Sequence, residues 1–200
     1  MDYNDVVRVL PVWFLVVLSY LIPSVFFKTQ QFYWYTILWQ LMIIVIVLKS
    51  QKENLCVDKR LIKMGLLLGL NFVLVRIVSP QINILTTITG VITAPIMEEL
   101  LFRNWFLSQI RGSFKHKMVF SSFLFGLYHL KNVFILQPVS LLFQVCYAGM
   151  FIGPVFAWIR IKTGSIYPVI LFHSINNMLG STVTERFFKF IIVRTNKFGW

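Results

Sequence analysis

Apolar side chains run along this chain in long stretches, and short polar or basic breaks separate one stretch from the next. A helix needs about 20 mostly apolar residues to cross a bilayer. The pattern therefore predicts an all-α, polytopic transmembrane bundle of about seven or eight helices, which forms a single integral membrane domain over residues 1–200. The seven predicted spans are Val6–Phe27, Phe32–Leu48, Leu61–Val78, Ile84–Leu107, Met118–Phe134, Val139–Trp158 and Ser165–Leu179, and the short run Phe187–Val193 is predicted to be interfacial or a frayed final helix.

The composition supports this interpretation. Hydrophobic residues make up 58% of the chain and charged residues only 13%. In a soluble domain, roughly 45–50% of the residues are apolar and about 25% are charged. One soluble core could not bury so much apolar surface. The composition excludes a soluble globular protein and a disordered one, and two cysteines are too few for a disulfide scaffold.

The net charge of +12 indicates how the chain is oriented in the membrane rather than nucleic-acid binding. Its Lys and Arg residues lie in the breaks between apolar runs and form no continuous stripe. Cytoplasmic loops of membrane proteins collect basic residues. The breaks at Lys49–Lys63 and Arg111–Lys117 fall on the same side of a seven-span topology. We therefore expect a multi-pass protein of the cell membrane with a cytoplasmic N-terminus, the lipid bilayer as its surroundings and no nucleic-acid partner.

Three charged residues interrupt the fourth apolar run, namely Glu98, Glu99 and Arg103. Each would cost roughly 2.5–3.5 kcal/mol at the centre of a lipid-facing helix, so they should face one another or a wet cavity. Glu99 and Arg103 are four residues apart and can pair on one helix face. Glu98 is rotated by about 100° and is left without a local partner. This arrangement suits an acid or base, and the alternative is an ion-pair cluster that fixes helix packing or lies in a transport path.

Two further polar pairs lie in later apolar runs. Phe125 and His129 share a helix face, so the phenyl ring can form one wall around the imidazole. His173 and Asn177 are also one turn apart and could both point at one oxygen, as an oxyanion hole requires. Taken singly, these residues could be a satisfied core histidine and polar contacts between helices. Together with the glutamate pair they supply a base, a second proton-handling group and an oxyanion clamp, which water-mediated amide hydrolysis needs when no Ser or Cys acts as nucleophile.

In order along the chain, the three motifs are Glu98–Arg103 (EExxxR), Phe125–His129 (FxxxH) and His173–Asn177 (HxxxN). They resemble the motifs of the CAAX prenyl endopeptidase and bacteriocin-processing (CPBP, or Abi) family of intramembrane glutamic peptidases. Residues 84–180 would hold the peptidase core. Asn104 departs from the pattern, because the family commonly has Gly after the motif arginine, and it is expected to affect helix packing more than chemistry.

The resemblance implies an intramembrane glutamic endopeptidase, a CAAX protease-like hydrolase, with a water-filled cavity open toward the cytoplasmic side. Glu98 and His129 would activate the hydrolytic water, and His173 with Asn177 would stabilise the oxyanion. Glu99 and Arg103 would be structural partners in the site. Two histidines and a glutamate could instead bind zinc. The chain has no HExxH sequence, however, and the resemblance implies neither a metal nor another cofactor.

The resemblance further implies a peptide or a membrane-anchored protein as substrate. The expected setting is bacteriocin or signal-peptide processing, or self-immunity. The alternative is a non-catalytic membrane immunity protein that binds a toxin or its receptor. A transporter that uses the buried charges as a relay is a third hypothesis.

Overall fold

Seven helices form the part of the chain that the computed structural model describes, residues 3–50 and 59–180, and this part contains no strand. The expected all-α bundle of about seven or eight helices is thus confirmed. The predicted terminal segment Phe187–Val193 lies outside the described residues. The helices are α1 (Tyr3–Phe26), α2 (Thr29–Ser50), α3 (Lys59–Val78), α4 (Ile84–Gln109), α5 (Phe114–Tyr128), α6 (Pro138–Thr163) and α7 (167–180).

The surface of the bundle has the character of a membrane protein. Four helices, α1, α2, α4 and α6, are long and apolar enough to cross a bilayer. Large apolar side chains, such as Leu15, Leu66 and Phe143, lie exposed on the outside of the bundle. A soluble protein rarely exposes apolar surface on this scale. Hydrocarbon chains are the surroundings that such a surface fits.

Helix α4 is the central helix, since 67% of its spanning window is buried, compared with 28% for α1 and for α2. It is also irregular. Two π-helical segments, Ile88–Thr93 and Leu100–Phe106, flank one regular stretch, Ala94–Glu99. Segments of this kind widen the helix and occur frequently at functional sites. Both glutamates of the EExxxR motif lie at the end of the regular stretch.

Small residues allow α5 and α6 to approach closely. Ser122 and Gly126 on α5 face Gly149 and Gly153 on α6. A Cβ atom added at Gly126 would lie 2.7 Å from the Cα atom of Gly149, and one added at Gly153 would lie 2.9 Å from the Cβ atom of Ser122. Small residues at four-residue spacing commonly form such helix contacts in membranes. The contact fixes the last turn of α5, from which His129 follows directly.

Helix α7 is docked on the first π-helical segment of α4 by side-chain hydrogen bonds. Ser174 Oγ donates to the carbonyl oxygen of Val91 at 2.7 Å, and Asn177 Nδ2 donates to that of Gly90 at 2.8 Å. On α3, Asn71 Nδ2 donates to Ser174 Oγ at 3.2 Å. These bonds between helices fix the face of α7 that carries His173.

Candidate active site

The three motifs meet in one buried cluster. The glutamates and the arginine come from α4, and the two histidines come from the end of α5 and from α7. Five of the six predicted site residues are buried, and Asn177 is half-buried. The buried five are Glu98, Glu99, Arg103, His129 and His173.

Glu99 lies between two partners from different helices. Its Oε2 atom is 3.3 Å from Nε of Arg103, close enough for an ion pair although not aligned for a hydrogen bond. Its Oε1 atom is 2.7 Å from Nδ1 of His173. The Arg103 guanidinium group also lies 3.9 Å from the ring centre of Phe125 and 3.4 Å from the carbonyl oxygen of Gly153. Glu99 is thus held in place by α4 itself and by α7.

Glu98 has a partner that the sequence analysis did not identify. Nζ of Lys131 donates to Glu98 Oε1 at 2.8 Å. The lysine lies in a 3₁₀ turn, His129–Asn132, that continues α5 beyond Tyr128. Its ammonium group is 3.7 Å from the ring centre of Tyr128 and 4.7 Å from that of Tyr20 on α1. The expectation that Glu98 lacks a partner holds only within α4, because the lysine comes from another helix.

The ring of His129 is oriented by a backbone contact. Its Nδ1 atom lies 2.9 Å from the carbonyl oxygen of Phe125. A carbonyl oxygen only accepts hydrogen bonds, so Nδ1 carries the proton and Nε2 of the neutral ring has the lone pair. The Phe125 ring packs edge-on against the imidazole with 4.9 Å between ring centres. The first and last residues of the FxxxH motif therefore act together to set the tautomer and the orientation of this histidine.

His173 joins the two glutamates. While its Nδ1 atom contacts Glu99, its Nε2 atom lies 3.8 Å from Oε2 of Glu98. His129 is also close enough to Glu98 for electrostatic interaction. One carboxylate thus has two histidines near it, which is the arrangement required for moving a proton to and from a bound water.

Charge balance explains how the cluster can be buried. Burying an unpaired charge costs several kcal/mol. Here two carboxylates, Glu98 and Glu99, lie against two cations, Lys131 and Arg103. With both histidines neutral, the cluster carries no net charge.

Asn177 makes a contact that the sequence does not reveal. One N–H of its amide is bonded to the carbonyl oxygen of Gly90, and an amide group has a second N–H. Asn177 therefore contributes to the docking of α7, and its oxyanion role stays a prediction.

The carboxylates of the cluster are already matched to cations of the chain. Among residues 3–50 and 59–180, no group of three or more His, Cys, Asp or Glu side chains is arranged to hold a metal ion. Lys131 and Arg103 take the positions beside the carboxylates that a metal cation would use. The absence of zinc or of another cofactor stays a prediction.

Fold and site together define a helical membrane protein with a buried acid–base cluster at its central helix. The model of the type II CAAX prenyl endopeptidase Rce1-like family matches residues 80–179, half of the chain, and the chain belongs to this family. The resemblance seen in the three motifs is confirmed, since this is a family of CAAX proteases, which are hydrolases of the membrane. No curated protein and no solved structure shows a significant match.

Proposed function

We propose that this chain is an intramembrane glutamic endopeptidase in which Glu98 and His129 activate a water molecule. The observation that carries the proposal is the convergence of Glu98, His129 and His173 from three helices in one buried, charge-balanced cluster. Family membership supports the reaction class. The lone pair on Nε2 of His129 and the free lone pairs of the Glu98 carboxylate supply proton acceptors without any Ser or Cys nucleophile.

The reaction is a direct attack of water on the peptide carbonyl. Glu98 or His129 takes one proton as the water oxygen bonds to the carbonyl carbon. The tetrahedral intermediate then collapses, the C–N bond breaks, and the same proton passes to the leaving amine. The products are a new carboxyl terminus and a new amine, and no covalent enzyme intermediate forms.

The other members of the cluster position these groups. Glu99 fixes the ring of His173, and Arg103 supports Glu99 from the next turn of α4. Lys131 holds Oε1 of Glu98, which leaves Oε2 on the side of His173. For the oxyanion we propose the second amide N–H of Asn177 together with Nε2 of His173. The histidine can donate from Nε2 only when it carries both protons.

For the substrate we propose a peptide or a membrane-anchored protein. Bacteriocin or signal-peptide processing, or self-immunity, is the setting that the motif resemblance favours. The buried position of the cluster supports a scissile bond that lies at or within the membrane. The competing function is a non-catalytic immunity protein that protects by binding a toxin or its receptor.

The test is peptide hydrolysis by the purified full chain in liposomes prepared in H₂¹⁸O. A library should include prenylated and unprenylated peptides, and mass spectrometry should follow the fragments. We expect fragments with a single ¹⁸O atom in each new carboxyl group, because hydrolysis takes one oxygen atom from water. Glu98→Gln should abolish them, whereas Glu185→Gln, which changes an acidic residue outside the motifs, should not.

Failure to cleave any peptide, or equal cleavage by Glu98→Gln, would contradict the proposal. A cell-protection assay with the same two variants separates the alternative function. Protection by Glu98→Gln at the level of the unmodified chain would support the binding protein over the peptidase.

A further inference from the structure

A cavity of about 620 Å³ lies at the end of the bundle where α2 and α4 end, α5 begins and α6 has its last turn. This volume is within the range of roughly 300–1,000 Å³ that is typical of small-molecule sites. The lining residues do not include Glu98, His129 or His173. The polar side chains that line it are Ser50, Arg103, Asn104, Ser108, Gln109, Lys117 and Arg160.

The lining contains three basic side chains and no carboxylate, so it is positive even though Glu99 balances the charge of Arg103. Arg160 is held at the wall because its Nη2 atom donates to Oδ1 of Asn104 at 2.8 Å. Asn104 is the position at which the chain departs from the motif pattern, so this contact depends on a feature of this sequence. It joins α4 to α6 beside the cavity.

Arg103 gives a second, independent indication of a ligand. Its side chain is completely buried, and Nη1 has no hydrogen-bond partner among the described residues. Leaving a buried charged donor unsatisfied is costly. Arg and Lys are the residues that bind phosphate oxygens, and the Arg103 side chain is one of those that line the cavity.

We propose that this cavity binds a phosphate group, supplied by an anionic lipid headgroup or by free phosphate. Arg103 lies six residues before the end of α4, which is about 9 Å along the axis. Lys117 and Arg160 are near the helix ends, and the headgroup region on each side of a bilayer is about 5–7 Å thick. A phosphate that enters from the headgroups therefore meets Lys117 and Arg160 first and Arg103 deeper in the bundle. Basic pockets between membrane helices are known headgroup sites.

The test is binding to the purified full chain in neutral detergent, which needs no peptidase activity and does not depend on the proposed function. Native mass spectrometry should titrate the chain with phosphatidylglycerol and with phosphatidylcholine. A parallel arm should measure whether inorganic phosphate displaces phosphatidylglycerol. The test variant is Lys117→Gln/Arg160→Gln. The matched control is Lys115→Gln/Lys162→Gln, which removes the same charge from exposed residues outside the lining.

We expect phosphatidylglycerol to bind more tightly than phosphatidylcholine, and the test variant to weaken that binding by about 10- to 30-fold. The control should change it by less than about twofold. Arg160→Lys keeps the charge and should retain most of the affinity, which guards against a general folding defect. Displacement by millimolar phosphate, with loss of phosphate binding in the test variant, would assign the site to the free ion. Equal losses in the test and control variants, or no preference for the anionic lipid, would overturn the proposal.

Discussion

Two neighbouring glutamates of α4 have opposite surroundings. Glu99 is fully buried between the guanidinium group of Arg103 and the imidazole of His173. Glu98, one residue earlier, has a single lysine from a 3₁₀ turn as its hydrogen-bonded partner and retains an oxygen that faces His173. The same chemical group is held by an arginine and a histidine at one position and by one lysine at the next.

Under the proposed mechanism, this difference is how a membrane interior holds a reactive carboxylate. Glu99 is held by contacts from its own helix and from α7, so it cannot easily change partner. Glu98 is balanced by one cation, Lys131, which lies in a 3₁₀ turn and has a side chain that is 10% exposed, whereas the Arg103 side chain beside Glu99 is fully buried. The contrast predicts that changes on the Glu98 side lower activity, whereas changes on the Glu99 side lower stability.

The largest effect is expected for Glu98→Gln. A general base contributes about 10²- to 10⁴-fold to a rate, so we expect kcat to fall by roughly three orders of magnitude. The thermal unfolding temperature should fall less than in Glu99→Gln, because the Lys131 side chain is 10% exposed and can still donate to the amide oxygen, whereas the Arg103 side chain is fully buried. Peptide cleavage in liposomes and thermal unfolding of the same sample provide the two measurements. A large loss of stability with residual activity would reverse the assignment.

Glu99→Gln should mainly destabilise the fold. It leaves the Arg103 charge buried without its partner, and breaking a buried ion pair in this way costs about 3–5 kcal/mol. We therefore expect a marked drop in the unfolding temperature in detergent. The double variant Glu99→Gln/Arg103→Met removes both charges and should recover much of the loss. If the single variant were as stable as the parent, the ion pair would not be what holds α4 in place.

Asn177→Ala tests whether the residue does more than dock α7. Loss of one oxyanion donor lowers kcat by about 10²- to 10³-fold, and we expect about 100-fold. Ser174→Ala is the matched control, because it also removes a hydrogen bond from α7 to a carbonyl of α4. At roughly 0.6 kcal/mol per bond, Ser174→Ala should lose more stability, because it removes the bond from Asn71 as well, but only Asn177→Ala should lose activity. Equal activities would leave Asn177 with a docking role only.

Much of this site can be predicted from the sequence because helical spacing determines which residues share a face. The pairing of Glu99 with Arg103, the contact between Phe125 and His129, and the placement of the motifs on three apolar helices all follow from it. The ends of the helices are less regular. The 3₁₀ turn that carries Lys131 follows α5 within an apolar run, and nothing in a 3.6-residue period indicates it.

The π-helical segments of α4 are the other feature that periodicity does not reveal. The second segment changes the direction in which side chains beyond Glu99 point from the helix. The first presents the carbonyl groups of Gly90 and Val91 to α7. The partners of Ser174 and Asn177 are therefore products of the tertiary fold. A local signal for Lys131 did exist, since it is a basic residue two positions after a motif histidine inside an apolar run.

We expect the smallest effect for Lys131→Met. Its kcat should fall about tenfold, which corresponds to a rise of about 1.4 kcal/mol in the activation free energy. This change removes the hydrogen bond to Oε1 of Glu98 and the ammonium contact with the rings of Tyr20 and Tyr128. The carboxylate would then lose its fixed orientation and its paired cation, so the unfolding temperature should fall as well, but its proton-accepting oxygens would remain. Lys131 is therefore expected to position Glu98. If so, KM should stay within about twofold of the parent value while kcat falls. Lys131→Arg, which keeps the charge and the donor, should restore most of kcat. A rise in KM without a change in kcat would show that Lys131 supports substrate binding, and a failed rescue by Lys131→Arg would show that it supports packing. The contrast between the two glutamates would then rest on Glu99 alone.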